Sequence, residues 1–118
     1  MSKKSSENKT IFTQELAIDR FIFALEQELY IEAHELLEED WKAYKKNGQK
    51  DKAKALQGLI NGATALALYF KKNKPEAYKK VWLVFEKYVH LLDKVNLENT
   101  NKFYEARDLL IKINNKIN

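Results

Sequence analysis

The stretch "LQGLINGATALALYF", residues 56–70, holds fifteen consecutive positions without a charged side chain, in a chain where 32% of residues are charged. Such a run belongs in a protein interior or a membrane, and it is well short of the roughly 20 residues a membrane span requires. Leu56, Leu59, Ile60, Ala63, Leu66, Ala67 and Phe70 recur at spacings of three and four, the period of one helix face. The spacing predicts a buried central helix over about 51–72. Gly58 and Gly62 lie four apart on it. A glycine costs roughly 1 kcal/mol against alanine inside a helix, so two of them imply a neighbouring helix that approaches closely. The remaining side reads Gln57, Asn61, Thr64, Leu68. A polar stripe on an uncharged helix is either an exposed edge or the wall of a polar pocket.

Working outward, the 3.6-residue period runs almost unbroken and strand-like alternation is absent. A first helix fits about Thr13 to Gln27, with Leu16, Arg20, Phe23 and Gln27 along one side and Ile22 and Leu25 beside them. The second fits about Tyr30 to Lys46 and is stopped by "KNGQKD", where Asn47-Gly48 supplies a cap and turn. Asp51 opens the central helix, where a negative charge complements the helix dipole. "KNKPEA" ends that helix and places Pro75 at the first position of a fourth, which runs to about Lys94. After "NLENTN" a final helix carries Phe103, Ala106, Leu110, Ile113 and Ile117 on one stripe. The fold class expected is all-α: a single-domain bundle of about five helices over 10–118, behind a lysine- and serine-rich tail, residues 1–9, expected to be disordered.

Composition narrows the chemistry. The 118 residues include three glycines, one proline and no cysteine, which suits a helix-rich domain and removes disulfides, thiolate catalysis and cysteine-ligated metals. The N-terminal segment leads into no apolar signal region, so a soluble, cytoplasmic protein without a membrane partner is expected. Net charge is +4 with a pI near 9.1. The lysines gather at helix ends and linkers, while residues 26–40 carry only negative charge. With no arginine cluster or recognition-helix signature, nucleic acid is disfavoured as a partner. A homo-oligomer is compatible with everything in the sequence.

The chemistry-bearing segment is "YIEAHELLEEDW", residues 30–41. At about 100° per residue, its inner face centres on Tyr30, Ala33, Leu37, Trp41 and Tyr44. His34 falls inside that face and Glu38 at its edge, whereas Glu32, Glu35 and Glu39 point outward. A zincin needs His-Glu-x-x-His, and here Glu38 stands where the second histidine belongs. Di-iron bundles need Glu-x-x-His on two helices, but Ile31 and Lys87 precede His34 and His90. His90, paired with Glu86 at i, i+4, lies opposite its helix's apolar centre and reads as a surface residue. The only serines are Ser2, Ser5 and Ser6, in the tail, and there is no glycine-rich phosphate loop. What survives is a candidate polar cluster of His34, Glu38, Trp41 and Gln57. It would be either a register-fixing pair between two helices, with His34→Ala costing about 1–3 kcal/mol, or the nucleus of a ligand or metal site.

"EAHELLEEDW" followed by "LQGLINGATAL" resembles the all-helical bacterial and archaeal family called domain of unknown function 309. Its pattern is a His-Glu-x-x-Glu-x-x-Trp helix followed by Leu-Gln-Gly-hydrophobic-Ile. His34, Glu35, Glu38 and Trp41 match the first part; Leu56, Gln57, Gly58, Leu59 and Ile60 match the second. The resemblance covers about residues 20–92. It implies a site assembled from the two motif helices, and some members have been labelled predicted metal-dependent hydrolases. Two departures stand out. Many relatives carry a histidine where this chain has Ala67 and Leu68. Many also have Phe-Asn and a glycine where it has Leu25, Glu26 and Glu28.

The expected role is therefore structural or protein-interaction. The alternative is a protein that binds a small molecule or a divalent metal through His34 and Glu38, with metal-dependent hydrolysis as its enzymatic form; no residue pattern assigns a reaction. The interaction role needs an exposed apolar patch, on the fourth helix (Tyr78, Trp82, Phe85, Tyr88) or on the C-terminal helix. The binding role needs a water-accessible pocket between the second and third helices.

Overall fold

The computed structural model describes residues 16–117. Its helices are α1 (Ala17–Glu26), α2 (Tyr30–Leu36), α3 (Glu38–Lys46), α4 (Lys50–Phe70), α5 (Pro75–Tyr88) and α6 (Thr100–Asn114). A short 3₁₀ turn, Val89–Asp93, follows α5. Only Leu37 separates α2 from α3, so the segments form five rods, and no strand occurs among the described residues. The expected tail, residues 1–9, and Thr13, the expected start of the first helix, lie outside the described residues.

The central helix is α4. Eleven of its residues are buried, and it packs against α5, α2, α3, the 3₁₀ turn and α6. The four that are only half-buried between Leu56 and Tyr69 are Gln57, Asn61, Thr64 and Leu68, the stripe that the sequence separates from the apolar face. Asn61 Nδ2 donates to the Gln57 carbonyl and Thr64 Oγ1 to the Ile60 carbonyl, both at 3.0 Å, so these polar groups bond back onto their own helix. The glycines serve close approach. A methyl group at Gly58 would stand 3.2 Å from Tyr88 Cβ and 3.3 Å from the Val89 backbone nitrogen. The central helix can therefore lie directly against the end of α5. Phe70, expected on the apolar face, is 43% exposed, because it sits on the last turn of α4.

Three other expectations need correction. On α1 the buried residues are Ile18, Phe21, Ile22, Ala24 and Leu25. Leu16, Phe23 and Gln27 are exposed instead, while Arg20 is half-buried, its Nε enclosed and without a partner among the described residues. The fourth helix stops at Tyr88 and tightens into the 3₁₀ turn rather than running on to Lys94. Finally, the second helix is not continuous. It breaks at Leu37, whose side chain is wholly buried and whose backbone sits at φ −101°, ψ 0°. A physical reason lies in the acidic run. Like charges three and four apart weaken a continuous helix, whereas a new helix start at Glu38 gathers Glu38, Glu39 and Asp40 in the first turn of α3, where the dipole favours them.

The caps follow the sequence closely. Gly48 sits at φ +77°; its N–H donates to Lys45 O and that of Gln49 to Tyr44 O, a Schellman ending for α3. Glu28, at φ +61°, ends α1 in the same way, through Glu28 N–H to Leu25 O and Leu29 N–H to Ala24 O. A left-handed backbone position of this kind favours glycine, and here it is taken by glutamate.

Candidate functional site

The break at Leu37 shapes the surface beside it. Upstream, α2 buries Tyr30 and Ala33 against the core. Downstream, α3 has no fully buried residue, and Trp41 and Tyr44 are only half-covered. A cleft lies between α3 and α4, with Gln57 and Asn61 of the polar stripe on its α4 wall.

Two adjoining cavities occupy that cleft, and Trp41 and Gln57 line both. The outer one, about 380 Å³, is bordered by Lys45, Lys50, Ala53 and Lys54 as well. The inner one, about 170 Å³, is bordered by Glu38, Ile60 and Asn61. The Lys45 ammonium stands 4.9 Å from the Trp41 ring centroid, a cation–π distance. Among the described residues, the Gln57 side-chain amide has no hydrogen-bond partner.

His34 and Glu38 straddle the helix break. His34 Nδ1 lies 2.6 Å from the Ile31 carbonyl oxygen. A carbonyl only accepts, so that bond requires the proton on Nδ1. The other ring nitrogen, Nε2, faces Glu38 Oε2 at 4.0 Å, too far for a direct hydrogen bond. Their side chains are 30% and 40% exposed, so the pair is partly solvated and not buried as the sequence suggested. Both lie at the margin of the face that buries Ala33 and Leu37, which leaves them half-covered. The sequence candidates are thus brought near one another in two overlapping groups. Glu38, Trp41 and Gln57 share the inner cavity, while His34 reaches it only through Glu38.

Metal binding can be tested on the same geometry. Among the described residues, no three His, Cys, Asp or Glu side chains converge as a metal-holding group. His34 and Glu38 supply two donors, one short of the three protein ligands that catalytic zinc takes. Ala67, where the resemblance implied a histidine in other members, is buried in the core, and Leu68 is half-buried. The set does not fit a catalytic zinc, and no hydrolytic step is derived from it.

The lysine rim is the feature that sequence reasoning missed. Lys45 belongs to α3 and Lys50 and Lys54 to α4, so only the hairpin at Gly48 brings them to one opening. The available signal was local density: residues 41–54 hold six lysines and one aspartate. On the fourth helix, the suggested apolar patch is absent. Trp82 and Phe85 are 8% and 2% exposed, and Tyr78 is tied to α6 by a hydroxyl hydrogen bond to Asn114. Below α3 a smaller cavity is lined by Asp40, Tyr44 and Glu98 among others. Burial, then the Asp40 and Glu98 charges, push the Tyr44 hydroxyl above the usual tyrosine range. His90 is exposed on the 3₁₀ turn, as its phase predicts. Among the described residues, no helix is long and apolar enough to cross a membrane.

No curated protein and no solved structure matches the chain. Residues 18–80 match a family described as Domain of unknown function (DUF309). That span contains α1 to α4 and the start of α5, with both motif helices and every residue of the cleft. Since it covers more than half of the 118 residues, the chain belongs to the DUF309 family.

Proposed function

We propose that this protein is a small-molecule-binding module whose site is the cleft between α3 and α4. The observation that carries the reading is the pair of cavities sharing Trp41 and Gln57. A concave site with an aromatic wall and a few convergent polar groups is the usual form of a ligand pocket, and about 380 Å³ falls in the usual size range. Gln57, half-buried and without a protein partner for its amide among the described residues, is free to pair with a ligand there. The register-fixing role is less well supported, since a pair this exposed holds two helices together only weakly. For the interaction role, Trp82 and Phe85 are turned inward, and Leu83 on α5 and Ile111 on α6 are the large apolar side chains those two helices expose.

A second reading, in which His34 and Glu38 hold a divalent metal, has one observation in its favour. The Nδ1–H bond to a backbone carbonyl leaves Nε2 directed at a carboxylate, the orientation in which outer hydrogen bonds usually hold a metal-ligating histidine.

Both readings can be tested on one ¹⁵N-labelled sample. Small-molecule fragments screened by NMR should shift the Trp41 indole N–H while leaving that of buried Trp82 in place. A library that moves neither indole, or moves both alike, would contradict the cleft reading. Elemental analysis of untagged protein, repeated on His34→Ala, decides the metal reading. Stoichiometric metal lost in the variant supports it, and metal-free protein in both samples removes it.

A further inference from the structure

The two cavities differ in chemistry from end to end. The outer opening is lined by Lys45, Lys50 and Lys54. The Lys45 ammonium lies over the Trp41 ring and that of Lys54 stands 6.0 Å from the Tyr88 ring, so a phosphate there would draw these flexible side chains together. The inner end is lined by Glu38 and Asn61, with the Glu38 carboxylate 4.0 Å from His34 Nε2, and Trp41 and Gln57 line both cavities. From Lys50 to Asn61 the cleft follows eleven residues of α4, about 16 Å at the helical rise. A ligand that uses all of it needs an anionic group at one end, a flat body in the middle and hydrogen-bond donors at the other. Inorganic phosphate or a simple carboxylate would use only the lysines. An acidic peptide lying along the groove would carry negative charge into Glu38.

We infer that the cleft binds a nucleotide, its phosphate among the three lysines and its base between Trp41 and Glu38. This rests on the cleft being a ligand site and names the chemical class it takes. Lysine ammonium groups receive phosphate as point charges. Indole faces stack heterocyclic bases regardless of their identity. A carboxylate accepts from the exocyclic amine of a base, and the Asn61 carbonyl oxygen can do the same, because its Nδ2 is already spent on the Gln57 backbone. The Gln57 amide can donate to a ring nitrogen. Bases bearing an amine, adenine and cytosine among them, are therefore favoured over uracil. Lys45 couples the two ends. Its ammonium now lies over the Trp41 ring, and drawing it onto a phosphate uncovers the indole for stacking.

The test is calorimetric titration of the full chain with adenosine, cytidine and uridine 5′-monophosphates, adenosine, inorganic phosphate and a single-stranded adenine octaribonucleotide. Adenosine and cytidine monophosphates should bind at or below about 1 mM, with uridine monophosphate, adenosine and phosphate each about tenfold weaker or more. Lys50→Glu combined with Lys54→Glu, both at exposed positions, should weaken binding about tenfold without changing the melting temperature. Glu38→Gln should narrow the gap between cytidine and uridine nucleotides. An octamer no tighter than the mononucleotide identifies the free nucleotide as the ligand. Phosphate binding as well as the nucleotides would overturn the inference, as would an octamer that binds with steep salt dependence while mononucleotides do not. If nucleotides leave the Trp41 indole N–H unmoved while other fragments shift it, the nucleotide assignment falls and the cleft remains a ligand site. If no ligand of any class shifts it, both fall together.

Discussion

On one side of α4, a methyl group added at Gly62 would stand 2.9 Å from Leu110 Cδ1 and 3.0 Å from Phe85 Cδ1. On the other side, Gln57 borders cavities of about 380 and 170 Å³. The same uncharged helix thus has a face packed to contact and a face left open. The closed face is made by removing side chains, so that α5 and α6 can come in. The open face keeps polar side chains, Gln57 and Asn61, with Trp41 of α3 lining the same cavities. Stability and binding are assigned to opposite sides of one element, and substitutions on the two sides should separate them.

Phe85→Ala should have the largest effect. Phe85 is 2% exposed and meets the closed face at Gly62, so its truncation should cost about 3–5 kcal/mol in chemical denaturation. A loss below about 1 kcal/mol would mean that the closed face is not the core. Gly62→Val overfills the same contact and should destabilise by roughly 1–3 kcal/mol; a stabilised variant would show that the approach of Leu110 and Phe85 is slack. On the open face, His34→Ala should cost about 0–1 kcal/mol, the range for exposed pairs. That replaces the larger figure expected of a buried pair, and a measured cost above about 2 kcal/mol would restore the buried reading. The smallest change is expected for Asn61→Ala and Gln57→Ala, within about 0.5 kcal/mol of the parent for substitutions at half-exposed positions. Those two should still weaken ligand binding, which would separate the faces most cleanly.

Much of the closed face was legible in the sequence. The uncharged run identified the central helix, the glycine pair implied close approach, and the stripe Gln57–Asn61–Thr64–Leu68 came out as the half-buried edge. Asn47-Gly48 and Pro75 marked their turns correctly, because glycine at φ > 0 and proline at a helix start are local backbone effects. The open face was harder to read. Apolar periodicity passes through Leu37 without interruption, so a single helix from Tyr30 to Lys46 looked continuous. The break became visible only once Glu38, Glu39 and Asp40 were seen as a helix's first turn instead of one solvated face. Lys45, Lys50 and Lys54 looked like ordinary helix-end charges, because their convergence depends on how two helices fold back at Gly48. Residues 30–41 did reveal that His34 and Glu38 belong together. They could not reveal the degree of burial, 30% and 40% exposed, which depends on how the neighbouring helices cover the margin of that face.

The most direct test of the cleft is the paired response of the two tryptophans. Trp41 lines both cavities and Trp82 is packed in the core, so each indole N–H reports one face of the molecule in the same spectrum. Titration with a cleft ligand should move the Trp41 resonance in a saturable way, leave Trp82 unmoved, and lose that response when Gln57 is replaced by alanine. A saturable shift at Trp82 alone, or a Trp41 shift indifferent to Gln57→Ala, would contradict the assignment of binding to the open face of α4.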